Sequence, residues 1–263
     1  MKRSLAWVLI FLSLQVSFSG AAEVRLDRIN DNIVIIFEGK IEAGDFDKFK
    51  SVLDSQNEQG VFVNAVILNS PGGSVAPALE IGRYTRLKRL VAYSPFACGE
   101  RSECICASAC ALIWFGGISR TGTVYVHRPS LIDDDQRLDF DAWDSVVNEA
   151  QNDIQSYLNE MRIADSVSDA MLSTNPNDIA PIQAGKDVAY KDTILEDYSR
   201  TRCGPPMSEI QEAYLTTFEG SDESELEIIL VDLLIVLREK ADWLKECNKR
   251  ILYLAQEEAQ LGH

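Results

Sequence analysis

Histidine is the scarcest chemistry-bearing residue in this chain, with two among 263 residues, His127 and His263. A zinc site built on two or more imidazoles is therefore excluded for practical purposes. Positive charge is also short: Lys and Arg number 25 against 41 Asp and Glu, a formal net charge of -16. Neutralising a phosphate backbone needs clustered basic side chains, so no nucleic-acid partner is expected. No low-complexity tract or internal repeat is present, which argues against solenoids and arrays. The G-x-S-x-G elbow is absent, so the α/β-hydrolase arrangement does not apply. With 46% hydrophobic and 25% charged residues, the composition is ordinary for a globular chain with one sizeable core or two small ones.

The N-terminus carries a separate signal. Lys2 and Arg3 precede an apolar run from Leu5 to Leu14, and the small residues Ser19-Gly20-Ala21-Ala22 follow. A basic start, a short apolar stretch and a small-residue cleavage site predict a signal peptide over residues 1–22. The run is short for a bilayer span, and no Cys stands at the cleavage site to take a lipid. The chain is expected to be exported, periplasmic or secreted, with an uncleaved anchor as the other reading.

Export changes what the cysteines mean, because disulfides persist outside the cytoplasm. The six are Cys98, Cys104, Cys106, Cys110, Cys203 and Cys247. Four of them follow the pattern C-x5-C-x-C-x3-C, which is no standard zinc spacing. A local disulfide is expected near Cys98, in the loop before Ser108, and a longer-range one joining Cys203 to the C-terminal region. Cys110, one helical turn beyond Cys106, is alternatively a buried thiol. A metal cluster is the minor reading, and no cofactor is called for.

Hydrophobic patterning places the elements. Asn32 to Phe37 and Val61 to Leu68 read as buried strands, with an amphipathic Phe46–Leu53 helix between them. A helix from Val75 to Leu87 follows, with Pro77 in its first turn and Ala78, Ile81, Gly82 and Thr85 on one small face. Leu90 to Ser94 is a third strand, Ala107 to Phe115 a buried helix, and Thr123 to Val126 a short strand leading to His127. Strands alternating with helices indicate an α/β fold with parallel pairing. Beyond Pro129 come an acidic Asp133–Asp135 loop, a long amphipathic Phe140–Met161 helix and a turn at Asn175-Pro176-Asn177-Asp178. Cys203-Gly204-Pro205-Pro206 looks like a boundary.

Three stretches carry chemistry. Ser70-Pro71-Gly72-Gly73, leaving a buried strand for a helix, exposes backbone N–H groups suited to an anion or oxyanion. A tight strand-to-helix turn would use the same residues. Ser108, flanked by Ala107 and Ala109 at the start of an apolar helix, suits a nucleophile approached closely by a carbonyl, although serine also caps helices. His127 stands at the tip of a strand, and with the terminal His263 as the only rival a Ser-His mechanism would have to use it, imidazole being the side chain suited to general-base work near neutrality.

Taken in order, Leu68 to Ser74 (L-N-S-P-G-G-S), Ala107 to Ala109 (A-S-A) and Val126 to Pro129 (V-H-R-P) resemble motifs of the Clp protease proteolytic subunit. They are closer still to exported relatives in the ClpP/crotonase superfamily. The resemblance spans residues 30–190 or so and implies a spiral of β-β-α units over a 23–200 catalytic domain. It implies Ser108 as nucleophile, His127 as general base, and an oxyanion hole from the N–H groups of Gly73 and Ala109. Gly72 and Ser74 would border the substrate. The third triad member is carried over to Asp178, with Asn177 and Asp187 as alternatives, because the segment that usually follows is replaced by Ile179-Ala180-Pro181-Ile182. A Ser-Lys dyad is the mechanistic rival, but no lysine stands out by position.

The resulting expectation is an exported serine peptidase cleaving peptides or unfolded protein through an acyl-enzyme. An ATPase partner is not expected where ATP is scarce. The alternative is a catalytically inactive scaffold that binds through its acidic tail, residues 205–263. That tail has a capping box at Ser224-x-x-Glu227, and Leu230, Leu237, Leu244 and Ile251 recur every seven residues. Leu233, Lys240, Cys247 and Leu254 fill the alternate seam. A coiled coil is one reading and packing on the chain's own catalytic domain the other. The resemblance implies a homo-oligomer.

Overall fold

The apolar runs rich in Val and Ile become the centre of a six-stranded sheet whose spatial order follows the sequence, β1 to β6. The strands are β1 (Glu23–Ile29), β2 (Asn32–Glu38), β3 (Ala65–Asn69), β4 (Val91–Ser94), β5 (Ser119–Val126) and β6 (Ala180–Gln183). The computed structural model describes residues 21–29, 32–95, 104–130, 140–217 and 223–262. The expected signal peptide through residue 20, Cys98, the Asp133–Asp135 loop and His263 lie outside the described residues.

β2 through β5 pair in parallel, as expected. Both edges are antiparallel: β1 forms a hairpin with β2, and β6 runs back along β5. Three crossover helices, α1 (Asp45–Glu58), α2 (Val75–Leu87) and α3 (Ala109–Phe115), connect the parallel strands, and α2 packs against both of the others. Right-handed crossovers between strands added in one direction keep all helices on one face, so the chain advances as a spiral. Ile35, Phe37, Val66, Leu68 and Ala92 point to that face and are fully buried with Trp114 and Phe115. The small face read on α2 is buried too; a Cβ on Gly82 would lie 2.1 Å from the Tyr157 hydroxyl.

The second strand of each expected β-β-α unit is reduced to isolated parallel bridges. These are Ile41 with Gly73, Ser70 with Cys106, and Ala107 with Tyr125. Residues 61–64, read as strand, stay outside the sheet, because the Gln260 side chain takes the Val63 N–H and donates to the Val63 carbonyl. The fold also takes in Ala21, bridged to Lys40, and buried Ala22, both assigned above to the leader.

The second half of the chain is helical: α4 (Phe140–Glu160), α5 (Asp165–Ser173), α6 (Thr193–Cys203), α7 (Met207–Thr217) and α8 (Glu223–Leu261). A smaller core joins α6 and α8 to the body through Ile118, Leu195, Leu244, Ile251 and Ala255. The Cys203–Cys247 disulfide crosslinks these two helices, as expected for Cys203. Leu244, Ile251 and Cys247, which were read as seam positions, are thus directed at the chain's own domain. Over this half of α8 the docking reading replaces the coiled coil. Among the described residues no helix is long and apolar enough to cross a membrane.

Asp192 locks the start of α6. Its carboxylate accepts hydrogen bonds from the Ile194 amide, Arg86 and fully buried Arg120. Burial alone would raise the Asp192 pKa, but the Ile194 hydrogen bond and the two guanidiniums outweigh it and hold the carboxyl below its ordinary value.

Candidate active site

Among the described residues, Ser108 is one of three non-glycine residues with positive φ, with Arg89 and Arg162. It precedes α3 with φ 55° and ψ -124°, a conformation that side-chain-bearing residues avoid. Such outliers persist only where surrounding bonds over-determine them. Here the Ser108 N–H donates to the Tyr125 carbonyl at 2.8 Å, and the Ala107 N–H to the Ser70 carbonyl at 3.0 Å. On the other side, the Tyr125 N–H donates to the Cys106 carbonyl. Serine is therefore no ordinary helix cap here; its side chain makes no capping hydrogen bond. The helix starts at Ala109, two residues later than the apolar run suggested.

A disulfide links Cys106 to Cys110, one residue beyond each neighbour of Ser108. Both cysteines are completely buried. This bridge closes around Ser108, whereas the sequence points to one near Cys98, before the serine; the reading of Cys110 as a thiol is corrected, because its sulfur is bonded to that of Cys106. Cys104 is disulfide-bonded as well.

The Pro-Gly-Gly turn lies directly against the serine. A Cβ on Gly72 would approach the Ser108 Cβ and the Ala107 carbonyl oxygen to 2.7 Å each. Gly73 is wedged on its other side: a Cβ there would fall 2.2 Å from the Ile41 carbonyl oxygen, and its φ is 139°. The turn is held by bonds on both flanks. Ile41 N–H donates to the Gly72 carbonyl, and Ser74 N–H to the Ile41 carbonyl. The hydroxyl of buried Ser70 accepts from the Gly72 N–H. Among the described residues, the N–H groups of Gly73 and Ala109 have no hydrogen-bond partner. They are the two expected oxyanion donors.

His127 follows the last residue of β5, and the Ala107–Tyr125 bridge brings that strand alongside the serine turn. Its Nδ1 lies 2.8 Å from the Arg128 carbonyl oxygen. Donation from Nδ1 to that carbonyl leaves Nε2 as the lone-pair nitrogen, the tautomer a general base requires. Ser108 and His127 are not hydrogen-bonded to each other in this state. Catalytic hydrogen bonds often tighten only when substrate is bound.

Asp178 is exposed and sits in the turn before β6, its N–H donating to the Asn175 carbonyl. The β5–β6 ladder pairs Val126 with Ala180, so Asp178 lies two residues beyond the last paired position, on the side of His127 and Arg128. Its carboxylate makes no hydrogen bond to the imidazole. Of the alternatives, Asp187 accepts from the Gln183 N–H within its own turn, and the Asn177 N–H donates to Asn175.

A cleft of about 590 Å³ opens beside the turn, lined by Ile41, Gly73, Ser74, Pro129 and the Val146–Asp153 face of α4. Lys40, Glu42, Glu149 and Asp153 line it as well, so its walls mix apolar and charged side chains, and neither Ser108 nor His127 is part of the lining. Among the described residues no cluster of His, Cys, Asp or Glu could hold a metal ion.

Three contributors had no visible sequence signal. The Arg128 carbonyl is a backbone group, and backbone groups leave no trace in composition. Ser70 lies within the motif, but its hydroxyl reads as a turn residue until the Gly72 bond is seen. Asn69 bridges Glu38 and the Ile105 N–H, tying the turn to the serine segment.

No protein-family model and no curated protein matches this chain. Among solved structures it is similar to a serine-to-alanine mutant of the 1510-N membrane-bound stomatin-specific protease. That similarity has a TM-score of 0.43 and 15% identity, covering 65% of this chain and 86% of the other. A lysine-to-alanine mutant of the same protease, in complex with a substrate peptide, gives a TM-score of 0.41 and 14% identity over 64% of this chain and 79% of that one.

Proposed function

We propose that this chain is an exported serine peptidase of ClpP type that cleaves peptides or unfolded protein through an acyl-enzyme. The observation that carries the proposal is Ser108 at φ 55°, between two unpartnered N–H groups and beside a histidine whose Nδ1 is already tied down. Ser108 Oγ attacks the scissile carbonyl while His127 Nε2 takes its proton. The developing oxyanion is received by the N–H groups of Gly73 and Ala109. His127 then returns the proton to the leaving amine, and water repeats the cycle on the ester. The Arg128 carbonyl holds the imidazole tautomer, and Asp178 is the acid that stabilises the imidazolium electrostatically. Gly72 and Ser74 border the peptide. The leader expected from the sequence and the disulfides support an exocytoplasmic setting.

Fluorophosphonate labelling followed by peptide mapping tests this reading. Label is expected on Ser108, and none in a folded Ser108→Ala variant. A folded wild-type protein that takes no label at Ser108 would overturn it.

A further inference from the structure

We propose that the Cys106–Cys110 disulfide is a positioning device for the nucleophile, holding Ser108 and the Ala109 N–H in their productive geometry. This rests on the peptidase reading above. The bridge spans the strand residue before the turn and the second residue of α3, with Cα atoms 5.2 Å apart. Between its ends lie only Ala107, Ser108 and Ala109. These three present the Oγ, the second oxyanion donor and the strained φ of the site.

As a general stabiliser the bridge is poorly placed. Its sequence separation is 4, against 44 for Cys203–Cys247, and closing a short loop removes little freedom from the unfolded chain. What it does restrict is the native backbone. Relaxation of Ser108 to an ordinary φ would swing its Oγ and the following N–H away from Gly73. Cys106 is fixed by the Ser70 bridge and its bond to Tyr125, and Cys110 by the first turn of α3. The sulfurs thus join two anchored points across the one segment that would otherwise relax. Both are fully buried, so the brace is shielded from exchange with dissolved thiols.

The test compares three proteins: wild type, Cys106→Ala with Cys110→Ala, and Cys203→Ala with Cys247→Ala. If the first pair does not fold, Cys106→Ser with Cys110→Ser replaces it. Hydrogen exchange over residues 105–112 should be faster by about tenfold or more in the 106/110 variant and unchanged in the 203/247 variant. Fluorophosphonate labelling should fall by about 100-fold in the 106/110 variant, with kcat reduced and KM held, as for loss of an oxyanion donor. Wild-type exchange and wild-type labelling in a folded 106/110 variant would overturn the proposal. If wild type takes no label, the peptidase reading fails, and unchanged exchange in the 106/110 variant still refutes the brace.

Discussion

Gly73 and Ile41 meet backbone to backbone: a Cβ on Gly73 would stand 2.2 Å from the Ile41 carbonyl oxygen and 2.9 Å from its nitrogen. Nothing flexible lies at that contact, so relief requires moving either the bridged segment at Ile41 or the turn that carries the proposed oxyanion donor. Gly73→Ala should therefore lower fluorophosphonate labelling by about 100-fold or more, the loss expected when one such donor is displaced. Gly44→Ala is the comparison, because φ there is also positive, at 90°, yet no atom lies within 4 Å. That variant should cost about 1 kcal/mol of stability and leave the labelling rate unchanged. Equal labelling by the two variants would remove Gly73 from the site.

Ser108 should show a trade between stability and chemistry. Ala at this position keeps the unfavourable φ, whereas Gly accepts it without steric cost. Ser108→Gly is expected to be more stable than Ser108→Ala by about 1 kcal/mol, a shift of about 2–4 °C in Tm for a chain of this size. Both variants should be unlabelled. A Gly variant melting below the Ala variant would mean that the strained conformation is not maintained in solution.

The imidazole gives a graded prediction. His127→Ala should reduce labelling to background, because a serine without its base is a poor nucleophile. Asp178→Asn should cost about tenfold under this reading, since Nδ1 already lies against the Arg128 carbonyl and the Asp178 carboxylate makes no hydrogen bond to the ring. A loss of several thousandfold on Asp178→Asn would assign tautomer control to that carboxylate. An unaltered rate would remove it from the mechanism.

How much of this was legible beforehand differs from element to element for physical reasons. The helix expected from about Val75 to Leu87 forms over those residues, because Pro77 suits a first turn and the small face is periodic. β1 carries alternating Val24, Leu26 and Arg28 among charges, the pattern of an exposed edge strand, and short runs of that kind are weak against the leader before them. The 61–64 segment looks like strand by composition, but the backbone groups of Val63 bond to Gln260, a residue 197 positions away. In the candidate site, residues are brought together where motifs are contiguous: Ser108, Gly73 and Ala109 lie in turns defined by a few neighbours. The partner of His127 Nδ1 is a carbonyl, and a choice between carbonyl and carboxylate depends on how a turn folds back. The tail seam was visible as apolar periodicity, but periodicity does not say which surface it meets.

Asp192 sets an acid limit on stability. Its side chain is 4% exposed between Arg86 and Arg120. Its folded pKa lies below the ordinary aspartate value, the two guanidiniums and the Ile194 amide prevailing over burial. A depressed acid contributes stability that is complete above the ordinary range near about pH 4 and is lost as pH falls through the folded value. Chemical-denaturation midpoints should therefore drop between about pH 4 and pH 2 in wild type, and less steeply in Asp192→Asn. At neutral pH that variant should be less stable by about 3–5 kcal/mol, since two buried cations lose their counter-charge. Parallel pH profiles for the two proteins would show that other carboxylates govern acid unfolding.

The C-terminal half of α8 should behave as part of the sheet-bearing body. Gln260 accepts from the Val63 N–H and donates to the carbonyls of Val63 and Lys88, and Gln256 donates to those of Asn64 and Arg89. Both glutamines are buried, so truncation leaves backbone groups without water or partner. Gln260→Ala should cost about 1–3 kcal/mol, and Gln260→Glu more, because a carboxylate cannot donate to two carbonyls. Removing everything after Gly220 should lower the melting temperature sharply, since Ile118, Leu195 and Cys203 would lose their apolar cover. Light scattering on Gln260→Ala separates docking from assembly. An unchanged oligomeric state with reduced stability is the result expected of an intramolecular clamp, whereas dissociation without loss of stability would return this half of the helix to the role of an interface between copies.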